Sequence, residues 1–318
     1  MTLDDLVMLD VLLSAMLLML AIAALHSQSL RRSIILFIVF GLVTALAWAR
    51  LKAPDVALAE AMIGSGVAGA LLLAALRDRK PDSKATTERG RPSWQVLTVT
   101  YLVIGLALTA SWAFLDAHQN QSGPRIGALV QSELTNSGVS NPVTAVLLNF
   151  RAYDTLLELA VLSAALLGVL ALGPERAAPR IAGPVVTHLV AWLAPLLIVT
   201  AGYLLWVGAH APGGAFQAGA LLAAAGIIVR LSGKPQAGLP SGIRLRLITA
   251  AGCGVFLFVG LASMSGGASL LQYPADWAGT LILLIEVFAT LSIAASLLLV
   301  YLGGQPDAWA SGRERGHA

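Results

Sequence analysis

The chain has 318 residues, of which 57% are hydrophobic and 12% charged, with one cysteine and a formal charge of +3. Soluble domains carry roughly 25% charged residues, so this composition is that of an integral membrane protein. The lone Cys253 lies in an apolar run, which excludes a disulfide framework, a thiolate metal site and an iron–sulfur cluster; no cofactor is expected in this polypeptide.

Apolar runs at 6–25, 33–49, 54–76, 96–115, 153–172, 185–207, 215–231, 245–264 and 279–302 are each long enough to cross a bilayer. They predict an all-α, polytopic membrane protein of about nine helices. The first run follows Asp4 and Asp5 and precedes Arg31 and Arg32, the reverse of a signal peptide, so it reads as a retained helix with its N-terminus outside. Alternation from that start leaves only Arg50, Lys52, Arg125 and Arg151 outside and puts roughly sixteen of the 20 basic residues, with the C-terminus, in the cytoplasm. The positive charge therefore reports topology and does not point to a nucleic-acid partner.

Polar stretches divide the chain into a three-helix block at 1–80, a two-helix block with a long external loop at 93–173, a four-helix block at 184–304 and a cytoplasmic tail at 305–318. No phosphate loop, nucleophile elbow or metal motif is present. The histidines are scattered at helix ends and loops, and His210 alone stays open as a functional candidate.

In the first block Pro54 suits a first helical turn, and Asp55 is favourable at the positive end of the helix dipole. Glu60 then stands in a stretch that is otherwise apolar as far as Leu76. At helical rise it lies about 9 Å below the helix start, too deep for an ordinary interfacial carboxylate. An intramembrane acid costs about 2.5–3.5 kcal/mol, so it pairs, faces a polar cavity or carries ions. Gly64, Ser65 and Gly66 follow, small residues that allow close helix approach, a π-bulge, or packing alone.

The fifth helix opens with Arg151, Asp154 and Glu158 on one face. Arg151 and Asp154 read as a helix-start ion pair, whereas Glu158, a turn deeper, needs a partner from another helix or a proton. The seventh helix is introduced by Pro212, Gly213 and Gly214, with Phe216, Gln217 and Gly219 following; Gln217 serves either as interhelical glue or as an ion contact. Glu286 repeats the pattern of Glu60 in the last helix. Asp10, Glu60, Glu158, Gln217 and Glu286 each lie about 7–10 Å from the outer end of their helix, which predicts a polar layer in the outer half of the membrane.

The segment 53–60, Ala-Pro-Asp-Val-Ala-Leu-Ala-Glu, with the small-residue helix after it resembles the MbhD-type domain. The segment 141–158, from Asn141-Pro-Val-Thr to Glu158, resembles the MbhE-type domain, and 210–219, His-Ala-Pro-Gly-Gly-Ala-Phe-Gln-Ala-Gly, is similar to the signature of the MnhB/MrpB family. In this order they resemble the C-terminal part of the large Mrp antiporter subunit joined to its B subunit. The resemblance implies a subunit of a multi-subunit Na+/H+ antiporter in the bacterial cytoplasmic (inner) membrane, without catalysis of its own. Its implied partners are NuoL/NuoN-like and small MrpC/E/F/G-like subunits, the lipid bilayer, Na+ and H+. It also implies roles in ion translocation or coupling for Glu60 and Glu158. Asn149, Pro142, Thr144, Leu157, Ala215 and Ala218 depart from the family pattern. Two alternatives stay open: a coupling subunit of a related hydrogenase, complex I-like or inorganic-carbon assembly, and a structural connector between antiporter-like modules.

Overall fold

The computed structural model describes residues 3–77, 94–119, 126–172, 183–233, 239–240, 242–265, 267 and 269–303, and all regular structure among them is helical. Residues 78–93, 173–182 and 304–318, which carry most of the two polar linkers and the tail expected from the sequence, lie outside the described residues. The chain forms two compact units, Met1–Asp78 with Leu134–Ala318, and Arg79–Glu133.

The larger unit begins with α1 (Leu3–His26) and α2 (Leu30–Arg50), which a three-residue turn forces to pair antiparallel. After a second short turn the third span starts at Pro54, where the missing N–H costs nothing. It runs as α3 (Pro54–Ala59), a π-helical segment (Glu60–Val67) and α4 (Ala68–Arg77). The widened turn falls on Gly64, Ser65 and Gly66, where small side chains let backbone approach backbone, and the Ser65 hydroxyl donates to the Glu60 carbonyl at 3.4 Å. Gly69 packs on Ile38 of α2 so closely that a Cβ there would lie 2.7 Å from it.

The smaller unit holds α5 (Trp94–Gln119), the fourth predicted helix, and α6 (Ile126–Glu133). The chain then re-enters the larger unit through a 3-10 turn (Leu134–Ser137), α7 (Pro142–Ala145) and a second π-helical segment (Val146–Phe150). Arg151, at φ −130° and ψ 36°, breaks this segment from α8 (Ala152–Leu172). The fifth span therefore starts at Ala152, after a bend and one residue beyond the Arg151 with which the sequence pattern opens it. The Thr155 hydroxyl holds the bend by donating to the Leu147 carbonyl at 2.6 Å.

The last four helices are α9 (Pro184–Val207), α10 (Ala215–Leu231), α11 (Ile243–Met264) and α12 (Ala278–Tyr301). α12 packs against α8, α10 and α11 and is buried over most of its length, as suits a helix that is apolar all round. Glycines make this possible: Gly219 meets Ile293, Gly226 meets Leu298 and Gly252 meets Ser292. A polar cross-link, the Ser292 hydroxyl to the Thr249 carbonyl at 2.6 Å, ties α12 to α11. Phe256, Ile282, Ile285, Ala289 and Ile293 form the centre of the core, against which α8 lays Leu159.

Seven spans among the described residues are long and apolar enough to cross a membrane: Val7–His26, Leu30–Arg50, Pro54–Leu76, Ala152–Leu172, Val185–Val207, Ile243–Met264 and Ala278–Tyr301. Ala215–Leu231, the seventh predicted run, is an apolar helix of 17 residues that starts and ends where the sequence pattern puts it. The chain is an all-α polytopic membrane protein.

Candidate functional site

The short start of α10 organises the site. After α9 the chain turns back on itself: the Gly214 N–H donates to the Leu204 carbonyl at 2.9 Å, and Gly208 sits so close to Gly214 that a Cβ would lie 2.6 Å from its nitrogen. Gly214 has φ +112°, a conformation that favours glycine. Pro212 lies in this turn, and α10 begins only at Ala215. The turn is stitched to the 137–141 loop, because the Ala209 carbonyl accepts from the backbone N–H groups of Ser140 and Asn141 at 2.9 and 3.0 Å. His210 is exposed beside it, with Nδ1 3.0 Å from the Ser140 hydroxyl.

Asp55 is the hub beneath this turn. Its buried Oδ1 accepts from the Asn141 amide at 3.3 Å and from the Gly213 N–H at 3.2 Å, while its carbonyl accepts from the Gln217 amide at 3.3 Å. Asn141 Nδ2 also donates to the Gly208 and Ala211 carbonyls, its Oδ1 caps α7 by accepting from the Val143 N–H, and the Thr144 hydroxyl donates to the Gly208 carbonyl at 2.6 Å. The first turn of the third span is thus pinned to the start of α7 and to the start of α10. The dipole reading of Asp55 missed this cross-link. An asparagine directly before a proline, a helix-capping pair, is the signal that could have drawn attention to Asn141.

Next to the hub lies a cavity of about 300 Å3. Asp55, Gln217, Glu158 and Glu286 line it together with Gly213, Gly214 and Phe216, and its apolar wall includes Ile63, Leu148, Phe256 and Ile285. Glu286 is 1% exposed. Its carboxyl lies beside Gly214 at the positive end of α10, and Oε2 has no hydrogen-bond partner. Glu158 sits on the open side of the cavity and is exposed in this chain.

The remaining sequence candidates lie apart from the cavity. Glu60 is half-buried on the π-helical segment, against α2, where a Cβ on Gly41 would lie 3.1 Å from its Oε1, and its carboxyl also closes over Gly64. Gly66 lines an apolar groove between the third span and α10, and Gly219 packs on α12 as described. Asp10 pairs with Arg50 of α2 at 2.9 Å, and Asp154 pairs with Arg151 at 2.6 Å, both as exposed ion pairs. Of the predicted layer, then, Glu158, Gln217 and Glu286 converge on one space, and Glu60 and Asp10 face α2.

Comparison with known proteins places these elements. Residues 15–81 match the MbhD family, the D subunit of MBH, and residues 185–303 match a domain related to the MnhB subunit of Na+/H+ antiporter. Among solved structures, a chain of the Mrp complex from Dietzia sp. DQ12-45-1b is similar over 92% of this chain, with a TM-score of 0.72 and 23% identity. This chain spans 34% of that one, about a third of its length. A chain of the membrane-bound sulfane sulfur reductase (MBS), an archaeal respiratory membrane complex, is similar over 66% of this chain and 97% of its own, with a TM-score of 0.52 and 25% identity. No curated protein matches. The fold and the two matched domains define a polytopic membrane protein built from domains of this kind. The chain carries an MbhD-like domain near its start and an MnhB-related domain near its end.

Proposed function

We propose that this chain works as a non-catalytic membrane subunit of a multi-subunit Na+/H+ antiporter in the bacterial inner membrane, N-terminus outside, and that Glu158 and Glu286 belong to its route for cations and protons. The observation that carries the reading is the shared cavity. Three carboxylates distant in sequence, Asp55, Glu158 and Glu286, line one space, Asp55 being held by Asn141 and Gly213, and among the described residues no basic side chain lines it with them. An unpaired carboxylate in a membrane span is costly enough that a tightly folded chain keeps it only for exchange or for a partner. Glu158 adds a second support, because a carboxylate exposed on a membrane-crossing helix calls for a neighbouring subunit to cover it. The 141–158 segment that carries it is read as MbhE-like. Glu60, set on the deformable π-helical segment beside α2, is read as a coupling element.

The test is Na+-driven proton movement in vesicles that hold the whole complex, followed with a pH-sensitive dye. Glu158→Gln and Glu286→Gln should each lower the rate by about tenfold or more, the size expected when a charge is removed from a transport path, while the complex still assembles. Full transport by both variants would refute the reading. The similarity to a respiratory complex supports one second reading, a coupling subunit in a redox-driven assembly. Copurification of cluster-bearing subunits would favour it.

A further inference from the structure

We infer that a furrow walled by α10, α11 and α12 binds one anionic phospholipid, whose acyl chain lies on α12 while its phosphate meets Arg244. The inference does not depend on the ion route, because it concerns the part of α12 that lies beyond Glu286.

The furrow follows from the packing. α10 and α11 both pack on α12, and all three wall a second cavity of about 420 Å3. Leu291, Ala294 and Leu298 of α12 line it with Ala225 and Gly226 of α10 and Ile248 of α11, and every other residue that lines it is apolar as well. Small side chains keep it open. Leu291 and Ile198 line it yet are exposed, so the furrow opens sideways, toward the surface that a bilayer would cover. From Leu291 to Leu298 is about 10 Å at helical rise, against about 15 Å for the hydrocarbon of one leaflet.

Size selects the apolar part of the occupant. Over that length a helix about 10 Å across fills roughly 800 Å3, about twice the space present, so a helix of another subunit is too thick. An extended acyl chain is thin enough and apolar throughout. Charge selects the rest. The furrow reaches the connection between α10 and α11, because Pro240 lines it too. Residues 230–246 hold Arg230, Lys234, Arg244 and Arg246 and no acid. Arg244 is exposed in the first turn of α11 and stands four residues before Ile248, so the two share a helix face. The guanidinium therefore starts one turn, about 6 Å, beyond the furrow wall, at the level where the headgroup of a chain lying in the furrow emerges. Basic side chains between membrane helices attract anionic headgroups, and guanidinium matches phosphate in shape and charge.

The test uses the purified complex with the full chain, in nanodiscs of phosphatidylcholine. Each disc carries the same low fraction of a probe, phosphatidylglycerol or phosphatidylcholine, with a diazirine in its acyl chain. After illumination, labelled peptides are mapped by mass spectrometry. The phosphatidylglycerol probe should label residues 222–229 and 291–298 about fivefold more than the phosphatidylcholine probe, the size of one arginine's attraction for an anionic lipid. Arg244→Gln should remove that preference and Arg246→Gln should keep most of it, while Ala294→Leu, which fills the floor, should cut labelling by both probes. Equal labelling by the two probes would overturn the site. So would a preference that Arg246→Gln abolishes as fully as Arg244→Gln, which would mark a general field, or a furrow that neither probe labels because another subunit covers it.

Discussion

Glu60 and Glu286 look alike along the chain, each a lone acid in an apolar span, yet the fold treats them by different means. Glu60 stands where its own helix is deformed: it opens a π-helical segment and lies half-buried against the Gly41 backbone of α2. Glu286 stands on a regular helix at the centre of the core, and a neighbour accommodates it, the start of α10, whose Gly214 lies beside its carboxyl. A helix that deforms around its acid has a second, regular arrangement within reach, which suits coupling. A helix that stays rigid while another presents its positive end makes a fixed site. The lesson is that equal depth in the membrane does not mean equal function; the backbone around each acid decides.

Asp55 joins the two regions, and removing it should have the largest effect on stability. Asp55→Ala leaves the Gly213 N–H without its buried acceptor, at roughly 1–3 kcal/mol, and removes one of the three acceptors of the Asn141 amide. A lower melting temperature of the complex in detergent is expected, with transport lost on the Glu286 side; a melting temperature equal to that of the parent would break the link drawn here between the third span and α10. Next comes Gly214→Ala. Its φ of +112° strains any side chain, at about 1–2 kcal/mol, and the methyl group would press on Glu286. Transport should fall well beyond what the stability loss explains. Gly41→Ala is the matching change beside Glu60, where the methyl would meet the Ser65 hydroxyl at 2.5 Å and Glu60 Oε1 at 3.1 Å. There the softer π-helical segment can yield, so about 1 kcal/mol and a partial loss of rate are expected, within the usual range for overpacking. If Gly41→Ala proves as severe as Gly214→Ala, the two acids sit in equally rigid places and the contrast between them fails.

Much of this was legible in the sequence, and the reasons are local. Pro54 starts its helix as a first-turn proline should, the small residues after Glu60 coincide with the π-helical segment, and the bounds of α10 follow from its glycine-rich start. Arg151 and Asp154 pair as their spacing requires. What was hidden depends on distant parts of the chain meeting. Nothing near Asp55 announces that Asn141 and Gly213 will converge on it, and a first-turn aspartate is already explained by the helix dipole. The separation of Glu60 and Asp10 from the cavity was equally hidden, because helical depth is read from one chain segment while facing direction is set by neighbours. The bend at Arg151 was hidden too: the Thr155 hydroxyl and the Leu147 carbonyl that hold it lie in a stretch whose composition suits an unbroken helix.

The central claim is that Glu158 and Glu286 act through one cavity, and a double-mutant cycle on transport measures it. Glu158→Asp and Glu286→Asp keep the charge but shorten the reach, so each variant should retain a measurable rate of Na+-driven proton movement. If the two carboxyls share one path, the double variant falls little below the slower single variant, because either change already limits the same step. Losses that multiply, so that the double variant's rate is the product of the two single fractions, would show independent sites and contradict the account.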